Sequence, residues 1–295
     1  MRACGVAVAG VLLTLAVLGG AAGAAPQNPG ATLPGVDAYV WTDVDGSPLP
    51  FQSDEEILAF LREARIESES TIELGITNPR RVVLERGGVR MNAALRDYDE
   101  TFTEARIDGE FYPRLRDAYI FDLPAYEMSR LLGLNNIPPV TLRRIGGAEV
   151  SLQAWLEGAM MESDRITEGT NPPSAVRFRR QTQDMRVFDS VIGNVDRNTG
   201  NILHDENGNI WLIDHSRAFP RSDQTRYLED ISACSRQLYE RLQEITHDDL
   251  MPLLSPPLTE SEVEWVLRRR DKVIAHIQAL IAERTEGAVL FERDG

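Results

Sequence analysis

Lysine is nearly absent from this 295-residue chain: Lys272 stands alone, and every other basic side chain is an arginine. An arginine where chemistry usually asks for lysine is therefore a weaker departure here, because the replacement runs through the whole sequence. Cysteine is almost as scarce, with Cys4 and Cys234 only. Cys4 falls in an N-terminal segment that reads as removable, which leaves Cys234 alone and excludes an intrachain disulfide in the mature chain. Cys234 is expected on an apolar helical face, as a small buried hydrophobe. Positive charge is outweighed, 31 Lys and Arg against 46 Asp and Glu for a net −15. That balance argues against a nucleic-acid partner, which asks for a basic face. Beyond Ala25 no run is long and apolar enough to span a bilayer, and no internal repeat is present.

What is there begins with a three-part leader. Arg2 precedes an apolar run from Gly5 to Leu18, and the small residues Ala22-Gly23-Ala24 lead into Ala25-Pro26. That is the layout of a secretory signal peptide over 1–24, with cleavage expected after Ala24. The protein is then secreted or periplasmic, with no stable membrane span. The alternative is an uncleaved N-terminal anchor, because the apolar stretch nearly reaches bilayer length. Residues 25–51, rich in Pro, Gly and Asp, read as a linker or irregular arm. The chain has room for one large two-lobed domain or two small ones.

The most informative stretch is Val187 to Phe219. Asp196 comes first, Asn201 follows five residues later, and Asp214 ends an apolar run. Between the last two lie two short strand-like pieces, Ile202-Leu203-His204 and Ile210-Trp211-Leu212-Ile213, separated by Glu206-Asn207-Gly208. Asn-Gly between apolar residues is a hairpin signal, so a hairpin is expected to bring Asn201 and Asp214 together. Singly, each of these residues is an ordinary cap or turn former. A calcium loop built on Asp196, Asn198 and Gly200 fails, because Gly200 has no side-chain oxygen and Asn207 stands where a bidentate Glu should close it.

An Asp, four residues, an Asn, and a second Asp after a short hairpin is the order found in protein kinases. The chain resembles the protein-kinase-like superfamily, and its Ile213-Asp214-His215-Ser216 is similar to the atypical branch. That branch includes phosphatidylinositol 3-/4-kinase-type, HipA-type and secretory-pathway kinases; the chain reads as a secreted bacterial member. The resemblance implies an α+β fold with a small antiparallel five-stranded N-lobe with one helix and a mainly helical C-lobe. The domain is expected over 52–283, with the lobes meeting near 155 and a tail at 284–295. The implied activity is ATP- and Mg-dependent transfer of a phosphoryl group to a hydroxyl of a protein, lipid or sugar acceptor. Asp196 is the implied base, and Asn201 and Asp214 the implied magnesium ligands. Arg96, in the strand position of the usual lysine, is implied to steady the phosphates, paired with Glu127. Trp155, Leu156 and Glu157 are implied to carry the adenine. The alternative is a secreted nucleotide- or ligand-binding pseudokinase without turnover, favoured by Arg96 and by export to a compartment poor in ATP.

Along the chain, Ser53-Asp54-Glu55-Glu56 is a capping box that opens a helix to about Arg65. Strands are expected over Ser68 to Leu74, Arg80 to Arg86 and Val89 to Asp97. The turn Gly75-Ile76-Thr77-Asn78 holds a single glycine and is no glycine-rich phosphate loop. Phe111 to Leu132 reads as mostly helical, with Gly133 ending it. Two strands, Val140 to Ile145 and Glu149 to Trp155, complete a five-stranded sheet. Glu162 to Ser174 reads as a loop and Ala175 to Ile192 as a helix whose arginines are solvated. After Phe219 the chain is expected to be helical, with Leu228, Ile231, Cys234, Leu238 and Leu242 on one face. A second capping box, Thr259 to Glu262, starts the last helix, around which Arg268, Arg269 and Arg270 scatter.

Overall fold

A computed structural model describes residues 39–72, 79–107 and 109–293. The signal peptide, its cleavage point, most of the arm before Tyr39 and the Gly75–Asn78 turn lie outside the described residues. From Tyr39 onward the chain builds a sheet-rich part followed by a helical part.

Helix α1 (Asp54–Glu63) starts where Ser53 accepts a bond from the Glu56 amide, and it buries Ile57, Leu58, Phe60 and Leu61. The Glu56 carboxylate returns to the amide of Gln52, one residue before the cap itself. The strands β1 (Arg65–Thr71), β2 (Arg80–Arg86) and β3 (Val89–Arg96) follow as an antiparallel meander. Two later strands, β6 (Val140–Ile145) and β7 (Ala148–Ala154), complete the sheet in the order β1-β2-β3-β7-β6. Between these two groups the structure departs from the expected helix. Asp99–Ile107 (β4) and Glu110–Ala118 (β5) form a separate antiparallel hairpin, and only Asp122–Leu131 (α2) is α-helical. The cause is local. Arg114 has φ 57°, and this break in a strand's alternation lets Tyr112 and Leu115 both be buried. A spacing of three between apolar residues imitates a helix.

The strands β6 (Val140–Ile145) and β7 (Ala148–Ala154) pair through the expected Gly146-Gly147 turn. A two-residue strand β8 (Met160–Met161) then leads into α3 (Glu162–Glu168), where a loop is expected. That helix carries no apolar stripe. Glu162 holds Arg165 one turn on and His204 across the fold, so tertiary contacts rather than periodicity make it helical. Helix α4 (Ala175–Ile192) has the expected bounds, with Ser174 as N-cap and Gly193 closing it in the left-handed region. The hairpin strands β9 (Ile202–His204) and β10 (Ile210–Leu212) come next.

The region after Phe219 is less helical than its periodicity implies. Leu228–Asp230 is a single 3-10 turn, and Cys234–Ser235 is a short strand, β11. Cys234 is free and buried, but on that strand rather than on a helix. Helices α5 (Arg236–Glu244), α6 (His247–Leu254) and α7 (Glu260–Glu283) follow, then α8 (Glu286–Val289) and β12 (Leu290–Phe291), which pairs parallel with β11. Thr259 and Glu262 form the reciprocal capping box. One hydrophobic core runs from Ile57 and Leu61 through Phe188 to Val263 and Ile277. No helix of the described residues is long and apolar enough to cross a membrane.

Arg269 is fully buried inside this helical part. Its guanidinium donates to the carbonyls of Val191, Ile192, Pro220 and Ser222, tying the end of α4 to the segment after Phe219. Gly193 lies against it. A Cβ there would meet Arg269 Nε and Pro220 Cδ at 2.8 Å, at a φ of +67°. Gly193→Ala is expected to cost about 1–2 kcal/mol for the left-handed backbone and a further ~1–3 kcal/mol for overpacking. Gly146→Ala has a similar φ and open space, so thermal denaturation should show only the first cost. Equal melting shifts for the two variants would contradict the packing part.

Candidate functional site

Helix α4 delivers the chain to the site. Gly193 turns it, and the Asn194 amide group donates to Asp189 Oδ1 at 3.0 Å while its oxygen accepts from the Asp196 amide at 3.2 Å. Asn201 Nδ2 donates to the Asp196 carbonyl at 2.9 Å, which commits its nitrogen to the loop and leaves its oxygen as an acceptor. The Ile213 amide bonds the Asn201 carbonyl at 3.2 Å, one step beyond the Ile202–Leu212 register pair. The hairpin therefore holds Asn201 beside Asp214, as the spacing implies. Its turn is governed by Asp205, whose carboxylate takes the amides of Asn207 and Asn209 and the Trp211 indole N–H.

Arg197 staples this loop from beneath. Its side chain is 2% exposed and makes a bidentate pair with Asp189 at 2.9 and 3.0 Å. It also donates to the carbonyls of Asn201 and Ile213 at 2.8 and 2.9 Å. The same Nη2 that donates to Asp189 Oδ1 also lies 2.8 Å from His215 Nε2. A guanidinium can only donate, so Nε2 accepts and the His215 proton sits on Nδ1. Burial, then Arg197 and Arg96, depress this imidazole well below its usual range, so it is neutral.

Asp196, Asn201 and Asp214 line one cleft of about 600 Å³, together with Arg96 and the Trp155–Glu157 segment after β7. Asp214 has φ 55°. Burial alone would raise its carboxyl, but Arg96, Ser216 and Arg197 outweigh this and hold it below the ordinary carboxylate range. In the same cleft, Ala94, Ala154, Leu156, Leu203 and Ile213 supply an apolar slot. The Trp155 amide donates to the Asn92 carbonyl at 3.1 Å. The Glu157 carboxylate is held by Arg81 at 3.0 Å and by Asn92, and its carbonyl accepts from Tyr39 Oη at 3.0 Å. Arg81 also stacks 4.7 Å over the Trp155 ring.

The expected Arg96–Glu127 ion pair is absent. Arg96 is buried and donates instead to Asp122 at 3.1 Å and to Gln153 at 3.3 Å. Burial disfavours its charge, but Asp122, then Asp214 and Asp117, outweigh that and keep it protonated. Asp122 also accepts from Ser151 Oγ and the His215 amide. Glu127 lies outside the cleft lining, half-buried near Arg130, Glu55 and Arg62, and burial raises its carboxyl. Helical geometry explains the exchange. Glu127 stands five positions after Asp122, a rotation of roughly 140° at 3.6 residues per turn, so only one of them can face Arg96.

The model for phosphatidylinositol 3- and 4-kinase matches residues 165–241, the stretch from α3 through the hairpin into α5. Comparison with curated protein sequences gives no match. Among solved structures, hydra Fam20 with sugar is similar over 82% of this chain and 94% of its own, at 16% identity and a TM-score of 0.61. The Golgi casein kinase is similar over 82% of this chain and 79% of its own, at 14% identity and a TM-score of 0.58. The same kinase with Mn/ADP bound gives 80% and 78%, at 15% identity and a TM-score of 0.55. The fold is atypical protein-kinase-like.

Within this kinase-like fold, four side chains that line the cleft or support it from behind carry no signal of that role in the sequence. They are Asp122, Asp117, Arg197 and Arg217. Asp122 opens α2 directly before Leu123-Pro124, a helix-start position, but its partner Arg96 comes from β3. Asp117 reaches the cleft from β5, the strand that reads as helix. Arg197 and Arg217 each follow a proposed acid closely in sequence, three residues on from Asp214 for Arg217, yet their bonds are tertiary.

Proposed function

We propose that the protein is a phosphotransferase that moves the terminal phosphoryl group of ATP to a hydroxyl of a protein, lipid or sugar acceptor. The convergence of Asp196, Asn201 and Asp214 on one cleft carries this reading. Asp196 is the base that takes the acceptor proton. Arg96, oriented by Asp122, faces the phosphates, and the apolar slot beside Trp155 and Leu156 takes the adenine. Residence outside the cytoplasm belongs to the same proposal and rests on the N-terminal segment.

The donor set fits magnesium. Among the described residues no three His, Cys, Asp or Glu side chains converge into a metal cage. Magnesium in nucleotide sites commonly takes one or two carboxylates and completes its shell with phosphates and water. Asp214 is held ionised, the Asn201 oxygen is an available acceptor, and the buried Asp117 Oδ1 has no hydrogen-bond partner. When bound there with ATP, the ion would neutralise charge on the phosphate oxygens.

A nucleotide binder without turnover is the second reading, favoured by the commitment of Arg96 to Asp122 and Gln153. Labelled ATP and magnesium, offered with an unstructured Ser-rich protein, phosphatidylinositol vesicles and free sugars, separate the two. Transfer by the wild type that disappears in Asp196→Ala supports the enzyme. ATP binding without Asp196-dependent transfer to any acceptor class supports the binder.

A further inference from the structure

The β4–β5 hairpin is docked on the loop that carries Asp196. Tyr112 and Leu115 pack against Val195, the residue just before it. The Ala118 amide donates to the Ser216 carbonyl at 2.8 Å, and Arg226 reaches the Ile107 carbonyl at 3.3 Å. Arg217 completes the junction with two arms of one guanidinium. Its Nε donates to Asp117 Oδ2 at 2.7 Å, and its Nη1 donates to Asp196 Oδ2 at 2.9 Å. The other Asp196 oxygen accepts from Asn198 Nδ2 at 3.1 Å.

We propose that Arg217 is the positioning residue for Asp196, fixing the direction of its carboxylate from the hairpin through Asp117. The inference rests on the reading of Asp196 as the base. Asp196 is about one-third exposed at the cleft, with a side-chain exposure of 32%, and packing alone does not hold it. A base works only within hydrogen-bond reach of the proton and with a lone pair directed at it. Donors on both carboxylate oxygens fix the plane of the group and leave its remaining lone pairs for the acceptor hydroxyl. The planar guanidinium addresses two carboxylates in fixed directions, which an ammonium does not. Asp117, 1% exposed, anchors the far arm, so the orientation of Asp196 follows the seating of the hairpin.

Arg217→Lys in the full chain keeps the charge and removes the fork. Three quantities are read together: Asp196-dependent transfer, Mg–ATP stabilisation and the melting temperature without ligand. Misplacement of a reacting group by about 1 Å costs on the order of 100-fold, and kcat is expected to fall by that order. Acceptor KM and Mg–ATP affinity should stay within about twofold of wild type, because uniform binding is untouched. Arg217→Gln, which also loses the charge, should fall at least as far; if it does not fold, the lysine variant carries the test. A wild-type kcat in Arg217→Lys overturns the assignment, as does a loss of Mg–ATP affinity as large as the loss of transfer. Absence of Asp196-dependent transfer in the wild type overturns the base reading and this inference with it, and that is seen before any Arg217 variant is made.

Discussion

Arg197→Ala should destabilise the protein by about 3–5 kcal/mol, the cost of leaving one partner of a buried ion pair behind. Asp189 is 1% exposed and receives both arms of the Arg197 fork. Without Arg197, its remaining side-chain donor in the network is Asn194. The carbonyls of Asn201 and Ile213 lose a charged donor in the same step. Against a total stability of roughly 5–15 kcal/mol, this loss is a large fraction of what holds the fold. At about 2–4 °C per kcal/mol for a domain of this size, the melting temperature should drop by roughly 10 °C. Arg197→Lys should recover only a small part, since an ammonium cannot span Asp189 and two carbonyls at once. A shift within the range of ordinary surface substitutions, about 0.5 kcal/mol, would show that the staple is not needed.

Asp196→Ala should leave the fold intact and lower phosphate transfer by about 10²–10⁴-fold, the usual contribution of a positioned general base. Asp196 is on the cleft surface, paired with the partly exposed Arg217 at 2.9 Å, so its removal opens no cavity in the core. Asn201 keeps its bond to the residue-196 carbonyl, so the loop backbone retains its support. The loss should therefore be in kcat, with Mg–ATP stabilisation of the wild-type size. Transfer that survives at the wild-type rate would assign proton acceptance to another group. A melting temperature far below wild type would move Asp196 from chemistry to structure.

Local signals carried much of this fold. The α4 bounds follow from Ser174, the apolar Val187, Phe188 and Val191, and Gly193, all on the helix or at its two caps. The β9–β10 hairpin has an equally local signal, Asn207-Gly208 between two apolar strands, and it brings Asn201 beside Asp214. The five sheet strands are legible because alternation and paired glycines mark them. Failures came where one unusual backbone angle or a long-range partner decided the outcome. A single left-handed residue, Arg114, gave β5 a helical spacing. Helix α3 depends on His204 through Glu162. Arg96 had two acidic candidates on one helix, and only the phase of that helix separated Asp122 from Glu127. Arg197 and Arg217 are legible as charges, while the carboxylates they join, Asp189 and Asp117, are set by packing.

Thermal denaturation of wild type and Asp214→Asn, with and without magnesium and ATP, measures most directly whether Asp214 and its neighbours hold a divalent ion against ATP. With ATP at 100 times its dissociation constant, the wild type should gain about 2.7 kcal/mol, only when both components are present, and Asp214→Asn should gain none relative to its own unliganded state. No gain in the wild type, or the same gain without magnesium or in Asp214→Asn, would contradict that role for Asp214.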